Sequence, residues 1–460
     1  MNPRLRQTIA RFLSHYGMLG VLVLLACFFS LVTLQEQHPA GAAAARSLLS
    51  RLPARPDDPQ APDAVLIVAR AVGEDGRFGE QLASGLRARG YRDVETFLGE
   101  PGEIRAALAR WIEARSEPPA RLAIATPHAY AAIARAIQED FPPLSGAQVL
   151  TPGSYRWPTF LLAENLLNVA NQIAVIAIVA IGMTMVIIAG GIDLSVGSLI
   201  ALAAVLVAGF VGHLGGAAAS GWAMLAAAVA AILAGCLVGA FSGIVITRFR
   251  VPPFIATLGM MQVASGLAYI LSQGRPIYQL PDRFVGLGRG ADPLVGIPYA
   301  VLLMALLYVA AHLLMSRTPL GRYIYAVGGN AEAARLAGVD VRAVLMFVYI
   351  VSAGLAGLGG VMMASQLKSG APTYGLMYEL YVIAAVVVGG TSLSGGEGRI
   401  LGTLIGAFII AVIQNGMNLT NVESYTQKVV LGLVILGAVL LDRSRHAGWF
   451  RRRGAGRSPG

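Results

Sequence analysis

One long apolar run, residues 165–213, is broken at its centre by a polar, glycine-rich stretch at residues 190–198, which reads Gly-Gly-Ile-Asp-Leu-Ser-Val-Gly-Ser. The flanks, residues 174–189 and 199–211, are apolar enough to lie in lipid. An aspartate near the bilayer centre costs about 2.5–3.5 kcal/mol on insertion scales, so Asp193 is expected to serve a polar path or partner. Glycines that break a helix at membrane depth need protein or water to satisfy the freed backbone groups. The run therefore favours the core of a channel or transporter over a simple anchor.

The rest of the chain predicts an all-α polytopic membrane protein. Of its 460 residues, 56% are hydrophobic and only 13% are charged, against about 25% charged in ordinary soluble domains. The apolar segments number ten and lie at residues 17–34, 167–189, 196–213, 222–246, 253–271, 298–315, 343–363, 381–388, 401–417 and 429–441. About ten spans of roughly 20 residues leave room for one small soluble domain.

The arginines between these segments predict an orientation. Ten alternating spans from a cytoplasmic N-terminus place all the basic loops on one side, and positive residues favour the cytoplasm. These loop arginines are Arg248, Arg250, Arg317, Arg322, Arg335, Arg342 and Arg399, and more follow in the tail. The net charge of +10 is thus explained by topology and membrane lipid, with no nucleic-acid partner needed. The first segment is either a retained span or a signal peptide cleaved near Ala42, Ala43 and Ala44.

The loop at residues 317–342 carries a short predicted helix. Ala, Glu, Arg and Leu after Asn330 are strong helix formers, and Gly338 is a natural stop. On the cytoplasmic side, such a helix is either an ordinary amphipathic connector or a rigid lever that presses into a groove of a partner.

This loop and several other motifs resemble one family. Glu332-Ala333-Ala334, three residues and Gly338 resemble the loop through which ABC importer permeases engage their ATPases. From Pro158 to the C-terminus the chain is similar to permeases of the ribose-type (monosaccharide) ABC importers. The matching motifs are PTFL at 158–161, ENLLN at 164–168, GMTMVI at 182–187, PFIATLGMM at 253–261, LGRYIYAVGGN at 320–330, VVVGGTSL at 386–393 and GTLIGA at 402–407.

The resemblance implies an ABC importer permease fold and a set of partners. These are cytoplasmic ABC ATPase subunits, a periplasmic sugar-binding protein and a second permease subunit, identical or homologous. It also implies a multi-pass protein of the bacterial inner membrane with both termini in the cytoplasm. The residues expected to couple to the ATPase are Asn330, Glu332, Ala333, Ala334, Arg335 and Gly338. Several sugars, including pentoses, hexoses and related polyols, are compatible with the motifs.

Two glycine-rich turns predict the path. Residues 190–197 and 389–396 share Gly-Gly-x-x-Leu-Ser-x-Gly, and paired glycine-interrupted segments in the two halves of a transporter point to its substrate path. Coincidence in a glycine-rich chain is the alternative. The predicted path or gate residues are Gly190, Gly191, Asp193, Ser195, Gly197, Ser198, Gly389, Gly390, Thr391, Ser392 and Asn415. Polar residues beside the spans, such as Gln172, Gln262, Gln414, Asn415 and Asn418, either contact a passing sugar or tie helices together.

The sequence argues against an enzyme. A phosphate-binding loop needs Gly-x-x-x-x-Gly-Lys-Ser/Thr, and neither of the two lysines, Lys368 and Lys428, follows such a glycine pattern. The stretch Leu-Ser-Gly-Gly-Glu at 393–397 is a chance similarity to an ATPase signature. ATP is therefore hydrolysed by another chain, and no catalytic residue, metal or cofactor is expected. An ion-coupled secondary transporter using Asp193 leaves the loop at 332–338 unexplained. A membrane-anchored sugar sensor would be expected to carry a cytoplasmic output domain, and only about 19 residues follow Leu441.

The segment between the first span and Pro158 departs from the family pattern. Residues 35–60 read as an Ala-, Pro- and Arg-rich linker. Strands are then predicted at 65–69, 94–98, 122–125 and 148–150, and helices at 78–89, 103–114 and 129–140. This alternation predicts a small α/β domain, which resembles one lobe of a type I periplasmic binding protein and is expected to dock the separate binding protein. Phe78, Trp111 and Tyr130 either stack on a sugar or pack the core.

The predicted organisation has four parts. Residues 1–34 form a cytoplasmic N-terminus and the first span, and residues 35–157 form a periplasmic linker and the α/β domain. Residues 158–442 form the transmembrane permease domain with its coupling loop at 317–342, and residues 443–460 form a basic cytoplasmic tail.

Overall fold

The computed structural model describes residues 3–54, 56–115, 119–278 and 280–446. The chain divides into two compact units. The membrane unit comprises Met1–Thr33 and Phe160–Gly460, and the inserted unit comprises Leu34–Thr159. The helices, in chain order, are α1 Pro3–Val32, α2 Gly41–Arg51, α3 Gly73–Ala88, α4 Pro101–Glu113, α5 Ala131–Asp140, α6 Ala163–Ile188, α7 Val196–His213, α8 Gly221–Phe249, α9 Pro253–Ser272, α10 Asp282–Arg289, α11 Tyr299–Arg317, α12 Pro319–Gly329, α13 Ala331–Leu336, α14 Val341–Leu367, α15 Tyr378–Val388, α16 Ile400–Leu419 and α17 Ser424–His446. The strands are β1 Leu34–Gln37, β2 Ala64–Ala69, β3 Asp93–Leu98, β4 Leu122–Ala125, β5 Gln148–Leu150 and β6 Tyr155–Pro158.

The membrane unit is helical. Within the described residues, seven helices are long and apolar enough to cross a membrane, namely α6, α7, α8, α9, α11, α14 and α16. Three shorter apolar helical stretches are Gly17–Val32 of α1, α15 and Ser424–Gly437 of α17. The predicted basic tail begins within α17, and its residues 447–460 lie outside the described part of the chain.

The span expected at residues 381–388 is wrong in one respect. The helix there, α15, has 11 residues, and it rises only about 16 Å of a hydrocarbon core that is roughly 30 Å thick. Residues 368–377, which contain no helix, connect α14 to α15. Met377 caps α15 with the positive φ of 66°. The segment after α14 therefore combines a non-helical stretch with a half-length helix.

Helix α14 is central because it packs on α6, α7 and α8. Its contact with α8 uses glycines four residues apart, Gly235, Gly239 and Gly243. A β-carbon at Gly239 would lie 2.5 Å from the carbonyl oxygen of Tyr349 on α14. Small residues at this spacing let two membrane helices approach closely and gain van der Waals contact where the hydrophobic effect gives little. The α8–α14 pair therefore depends on the absence of side chains at these positions.

The inserted unit contains a four-stranded parallel sheet in the order β3-β2-β4-β5. Every residue of the central strand β2 is buried. Helices α2 and α3 cover one face, and α4 and α5 cover the other. A separate antiparallel ribbon pairs β1 with β6, Leu34 opposite Pro158. This ribbon brings the two ends of the inserted unit together.

The linker expected over residues 35–60 is wrong. It contains β1 and α2, and Ala44, Ala45 and Leu48 of α2 are fully buried against α3 and β2. The alanine-rich composition here is that of a close-packed helix. The cleavage site considered at Ala42–Ala44 lies inside this helix.

Three aromatic residues of the inserted unit serve packing. Phe78 and Tyr130 are no more than 2% exposed. The Arg115 guanidinium covers the Trp111 ring, 4.2 Å from its centroid, and forms an ion pair of 2.5 Å with Asp93. This pair raises the pKa of Arg115 above its ordinary value. The alternative of sugar stacking by these rings is therefore not supported.

Candidate functional site

Two helices of the membrane unit end in turns of the same geometry. Gly190 after α6 has a φ of +86°, and Gly390 after α15 has a φ of +87°. In each turn this glycine donates to the carbonyl three residues earlier and the next residue donates to the carbonyl five residues earlier, at 2.9–3.1 Å. A left-handed glycine with these bonds is a common helix C-terminal cap. The geometry pairs Gly190 with Gly390, whereas the sequence similarity pairs Gly190 with Gly389.

One hydrogen bond and the close packing of further glycines join these two turns to each other and to α12. The Gly396 N–H donates to the Ile188 carbonyl at 2.8 Å, which links the turn after α15 to the end of α6. Gly328 of α12 lies against the same carbonyl so closely that a β-carbon there would overlap it. A β-carbon at Gly395 would lie 2.8 Å from the Gly328 carbonyl oxygen and 3.1 Å from the Gly190 α-carbon. We call residues 188–191, 328–329 and 395–396 the glycine junction.

Asp193 lies beyond the first turn and is 2% exposed. One carboxylate oxygen accepts hydrogen bonds from the Ser195 N–H at 3.1 Å and the Ser195 hydroxyl at 2.6 Å. The other accepts from the Ser352 hydroxyl of α14 at 2.8 Å. No Lys or Arg of the described residues forms an ion pair with Asp193. The carboxylate therefore cross-links the break between α6 and α7 to α14.

Helix α13 occupies the predicted coupling loop and is six residues long. The Asn330 side chain caps it by accepting from the Ala333 N–H at 2.9 Å. Glu332 and Arg335 form an exposed ion pair at 2.5 Å, which raises the pKa of Arg335. Ala334 is buried, whereas Leu336 at the C-terminal end is 80% exposed. The C-terminal end of α13 thus presents Leu336 together with the exposed Glu332–Arg335 pair.

The helix is also tied to the membrane unit on both sides. Gly338 has a φ of +85° and ends α13. The Asp340 carboxylate then caps α14 by accepting from the Arg342 and Ala343 N–H groups at 3.0 and 3.1 Å. The preceding helix, α12, carries Gly328 of the glycine junction, and the following helix, α14, carries Ser352. The chain thus connects α13 to the junction through α12 and to the Asp193 carboxylate through α14.

The remaining predicted path residues lie at different places. Gly197 and Ser198 are in the first turn of α7. Thr391 and Ser392 are buried beside the second turn, and Gly191 is close to the Tyr349 hydroxyl.

Asn415 is not brought together with the turns. It exchanges two side-chain hydrogen bonds, 3.0 and 2.9 Å, with Asn165 in the first turn of α6. Asn165 lies at the end of α6 remote from Gly190. Asn415 therefore ties two helices together at the opposite end of the membrane unit.

Sequence reasoning missed several residues of the site. Gly328 lies in one of the matching motifs, and Gly395 and Gly396 lie in the second glycine-rich turn, yet their mutual contact is set by tertiary packing. Ser352 gave no signal because serine is common in membrane helices. A half-buried acid, Glu379 in the first turn of α15, was also missed.

A cavity of about 900 Å³ adjoins the second turn. Gly389 and Gly390 line it together with polar side chains of α11, α12 and the segment before α16, which include His312, Tyr325 and Arg399. The Tyr325 hydroxyl donates to the Gly398 carbonyl at 2.8 Å and so fixes one wall. Within the described ranges, no group of three or more His, Cys, Asp or Glu is placed to hold a metal ion.

Comparison with known proteins identifies the class. Residues 165–439 match the family model described as the permease component of branched-chain amino acid transport systems, and the chain belongs to this family of ABC transporter permeases. It is a permease subunit, not an enzyme, and a multi-pass membrane protein. The match starts after the inserted unit.

Individual relatives are permeases of sugar transport systems. The chain is 44% identical over 292 residues to the ribose import permease protein of Escherichia coli K12, which covers 63% of this chain and 88% of the relative. It is 45% identical over 290 residues to the ribose import permease protein of Bacillus subtilis, with the same two shares. The D-allose transport system permease protein of E. coli K12 is 36% identical over 291 residues, 63% of this chain and 87% of the relative. No solved structure matches the chain.

Proposed function

We propose that this chain forms the path for a monosaccharide in an ATP-driven importer of the bacterial inner membrane. The proposal rests on the identity to ribose, allose and arabinose permeases. One structural observation supports the mechanism. In the chain, α13 lies between α12, which carries Gly328 of the glycine junction, and α14, whose Ser352 donates a hydrogen bond to the Asp193 carboxylate. The partners are cytoplasmic ATPase subunits, a periplasmic binding protein and a second permease subunit. The end of the membrane unit that carries α13 faces the cytoplasm, with both chain termini.

In this mechanism α13 seats in a groove of the ATPase, with the Leu336 side chain as its apolar contact. Closure of the ATPase around ATP displaces α13. The displacement passes through α12 to the glycine junction and through α14 to the Asp193 carboxylate. Separation of the glycine junction opens the path. When α13 returns, the close backbone contacts form again and close the junction.

Asp193 acts as a fixed structural group in this scheme. Three hydrogen bonds satisfy its carboxylate, and its partners are two serines that cannot accept a proton readily near neutral pH. This environment disfavours the ion-coupled alternative, in which the acid must exchange a proton or cation with the path.

The direct test is sugar uptake by the reconstituted transporter. Proteoliposomes contain this chain, its ATPase and its binding protein, and the probes are radiolabelled D-ribose, D-allose and L-arabinose. We expect uptake of at least one probe that requires ATP and the binding protein. Uptake driven by an ion gradient without ATP would overturn the proposal.

The coupling role of α13 is tested by substitution. Leu336→Asp is expected to weaken binding of the purified ATPase, and Gly338→Pro to uncouple hydrolysis from uptake, because proline cannot adopt the positive φ. Glu332→Lys reverses the charge beside Leu336 and is expected to act in the same direction. The matched control is Ala337→Ser, because Ala337 is next to Leu336 and is also exposed. Wild-type coupling in all three variants would refute the assignment.

The inserted unit, by its parallel sheet, resembles one lobe of a type I periplasmic binding protein, and we propose that it positions the separate binding protein on the outer side. A single lobe cannot close around a sugar, and Phe78, Trp111 and Tyr130 are occupied by packing. Docking of the binding protein is therefore favoured over sugar binding by the inserted unit itself.

The boundaries of the unit define the deletion. The Phe160 N–H donates to the Thr33 hydroxyl at 3.1 Å, so the membrane unit has its two ends in contact at the insertion point. Replacing residues 34–159 by a short Gly-Ser linker is expected to preserve assembly with the ATPase and basal ATP hydrolysis. The concentration of binding protein needed for half-maximal uptake should rise. An unchanged requirement would exclude a docking role.

A further inference from the structure

The start of α15 lies at mid-height of the membrane unit. Gly359 of α14 packs on Val175 and Val179, near the middle of the 26-residue helix α6, and on Ile200 of α7. The backbone at Gly375, three residues before α15, packs on the same Ile200, where a β-carbon would lie 2.9 Å from the Ile200 β-carbon. The first turn of α15 is therefore close to the centre of the bilayer.

A carboxylate occupies this first turn. Glu379 is half-buried, and its side chain touches Gly197 in the first turn of α7 so closely that a β-carbon there would overlap the carboxylate. In the part of the chain that the structure describes, no Lys or Arg forms an ion pair with it. An acid at the bilayer centre is costly, and one that is retained there usually faces a polar cavity or pathway. Glu379 is only half-buried, whereas the Asp193 carboxylate is buried and accepts three hydrogen bonds.

The chemistry of the carboxylate suits a sugar, because a carboxylate accepts hydrogen bonds from two adjacent hydroxyl groups. Tyr381 lies two residues further along α15, and residues at this spacing do not face each other on a helix. The carboxylate alone is therefore the candidate contact.

We propose that Glu379 is the contact that accepts the hydroxyl groups of the sugar as it passes the middle of the membrane. This inference rests on the proposed monosaccharide transport and adds the specificity-determining residue of the path. The contact replaces part of the water that the sugar loses on entering the bilayer. A single carboxylate lowers the barrier to passage without forming a closed site that would retain the sugar.

A structural role for Glu379 makes different predictions. A carboxylate beside the N-terminal turn of α7 favours that helix through its dipole. If this were its only role, neutralising Glu379 would lower the thermal stability of the transporter and would reduce uptake and ATP hydrolysis together. A path contact affects uptake alone.

The experiment uses the complete reconstituted transporter with radiolabelled D-ribose as the probe. The variants are Glu379→Gln, which keeps the shape, and Glu379→Asp, which keeps the charge. Glu423→Gln, in an exposed loop before α17, is the matched control. Uptake and ATP hydrolysis are measured in the same vesicles at saturating loaded binding protein, and thermal unfolding is measured in detergent.

We expect Glu379→Gln to lower the maximal rate of uptake at least about tenfold, the loss of a hydrogen bond to a charged group, with ATP hydrolysis and thermal stability unchanged. Glu379→Asp should retain more uptake than Glu379→Gln. Wild-type uptake in Glu379→Gln would overturn the inference, and so would a parallel loss of uptake, hydrolysis and stability. If the wild-type protein transports none of the sugars, the proposed function fails and not this contact alone.

Discussion

Substitution of Gly328 by alanine is the sharpest test of the glycine junction. The new β-carbon would overlap the Ile188 carbonyl oxygen and lie 2.7 Å from the Gly396 nitrogen. Ordinary contact begins at 3.4 Å, so the junction must open by at least 0.7 Å at Gly396, the difference between the two distances. All of these neighbours are backbone atoms, which cannot rotate away as a side chain can.

Forced overpacking of this kind costs about 1–3 kcal/mol. If the junction is closed at rest and parted during transport, the cost falls on the closed state. A shift of this size changes the equilibrium between the two states by about 5–150-fold. Gly328→Ala is therefore expected to raise ATP hydrolysis in the absence of binding protein and to lower the number of sugars transported per ATP.

Gly329→Ala provides the control. The two glycines are adjacent in α12, and nothing lies within 4 Å of a β-carbon at Gly329. Both substitutions favour the helix equally, so only the contact differs. The assay measures uptake and hydrolysis in the same proteoliposomes. Equal ratios of uptake to hydrolysis in the two variants would refute the junction as the gate.

Two further predictions concern stability in detergent, measured by thermal unfolding. Ser352→Ala removes the donor to one carboxylate oxygen of Asp193 and should cost about 1.5–3 kcal/mol, whereas Ser316→Ala, which removes an exposed hydroxyl bonded within its own helix, should have no effect; equal stability would contradict the cross-link. Gly239→Val should separate α8 from α14 and lower the unfolding temperature, whereas Gly209→Val in α7, with open space around it, should not; similar losses would show that helix propensity, not packing, is responsible.

The sequence predicted the helices of the membrane unit because each apolar run is long and uninterrupted. It failed where tertiary contacts decide. The run at residues 381–388 gave no indication that its helix begins at mid-height, because the turns that precede it are stabilised by packing on α7. The linker prediction failed because alanine-rich composition is shared by flexible segments and by close-packed helices such as α2.

The candidate site was predicted in part for the same reason. Both glycine turns were found from their shared residues, but the alignment of identical residues pairs Gly190 with Gly389. The cap geometry, in which the glycine with positive φ is the equivalent position, pairs Gly190 with Gly390, one residue further along the chain. Gly328 and Ser352 become informative only when the fold brings them to Ile188 and Asp193. Asn415 was assigned to the path because an amide in a membrane helix serves either transport or helix pairing, and only its reciprocal bonds with Asn165 distinguish the two.

The contact between Thr33 and Phe160 has a practical consequence. Because the two ends of the membrane unit meet there, the position is a natural acceptor for any compact domain whose own termini are close together. A circularly permuted fluorescent protein grafted between these residues would report on this end of the membrane unit during the transport cycle. The same geometry explains how a permease gains an extra module in one step, since the insertion requires no rearrangement of the membrane helices.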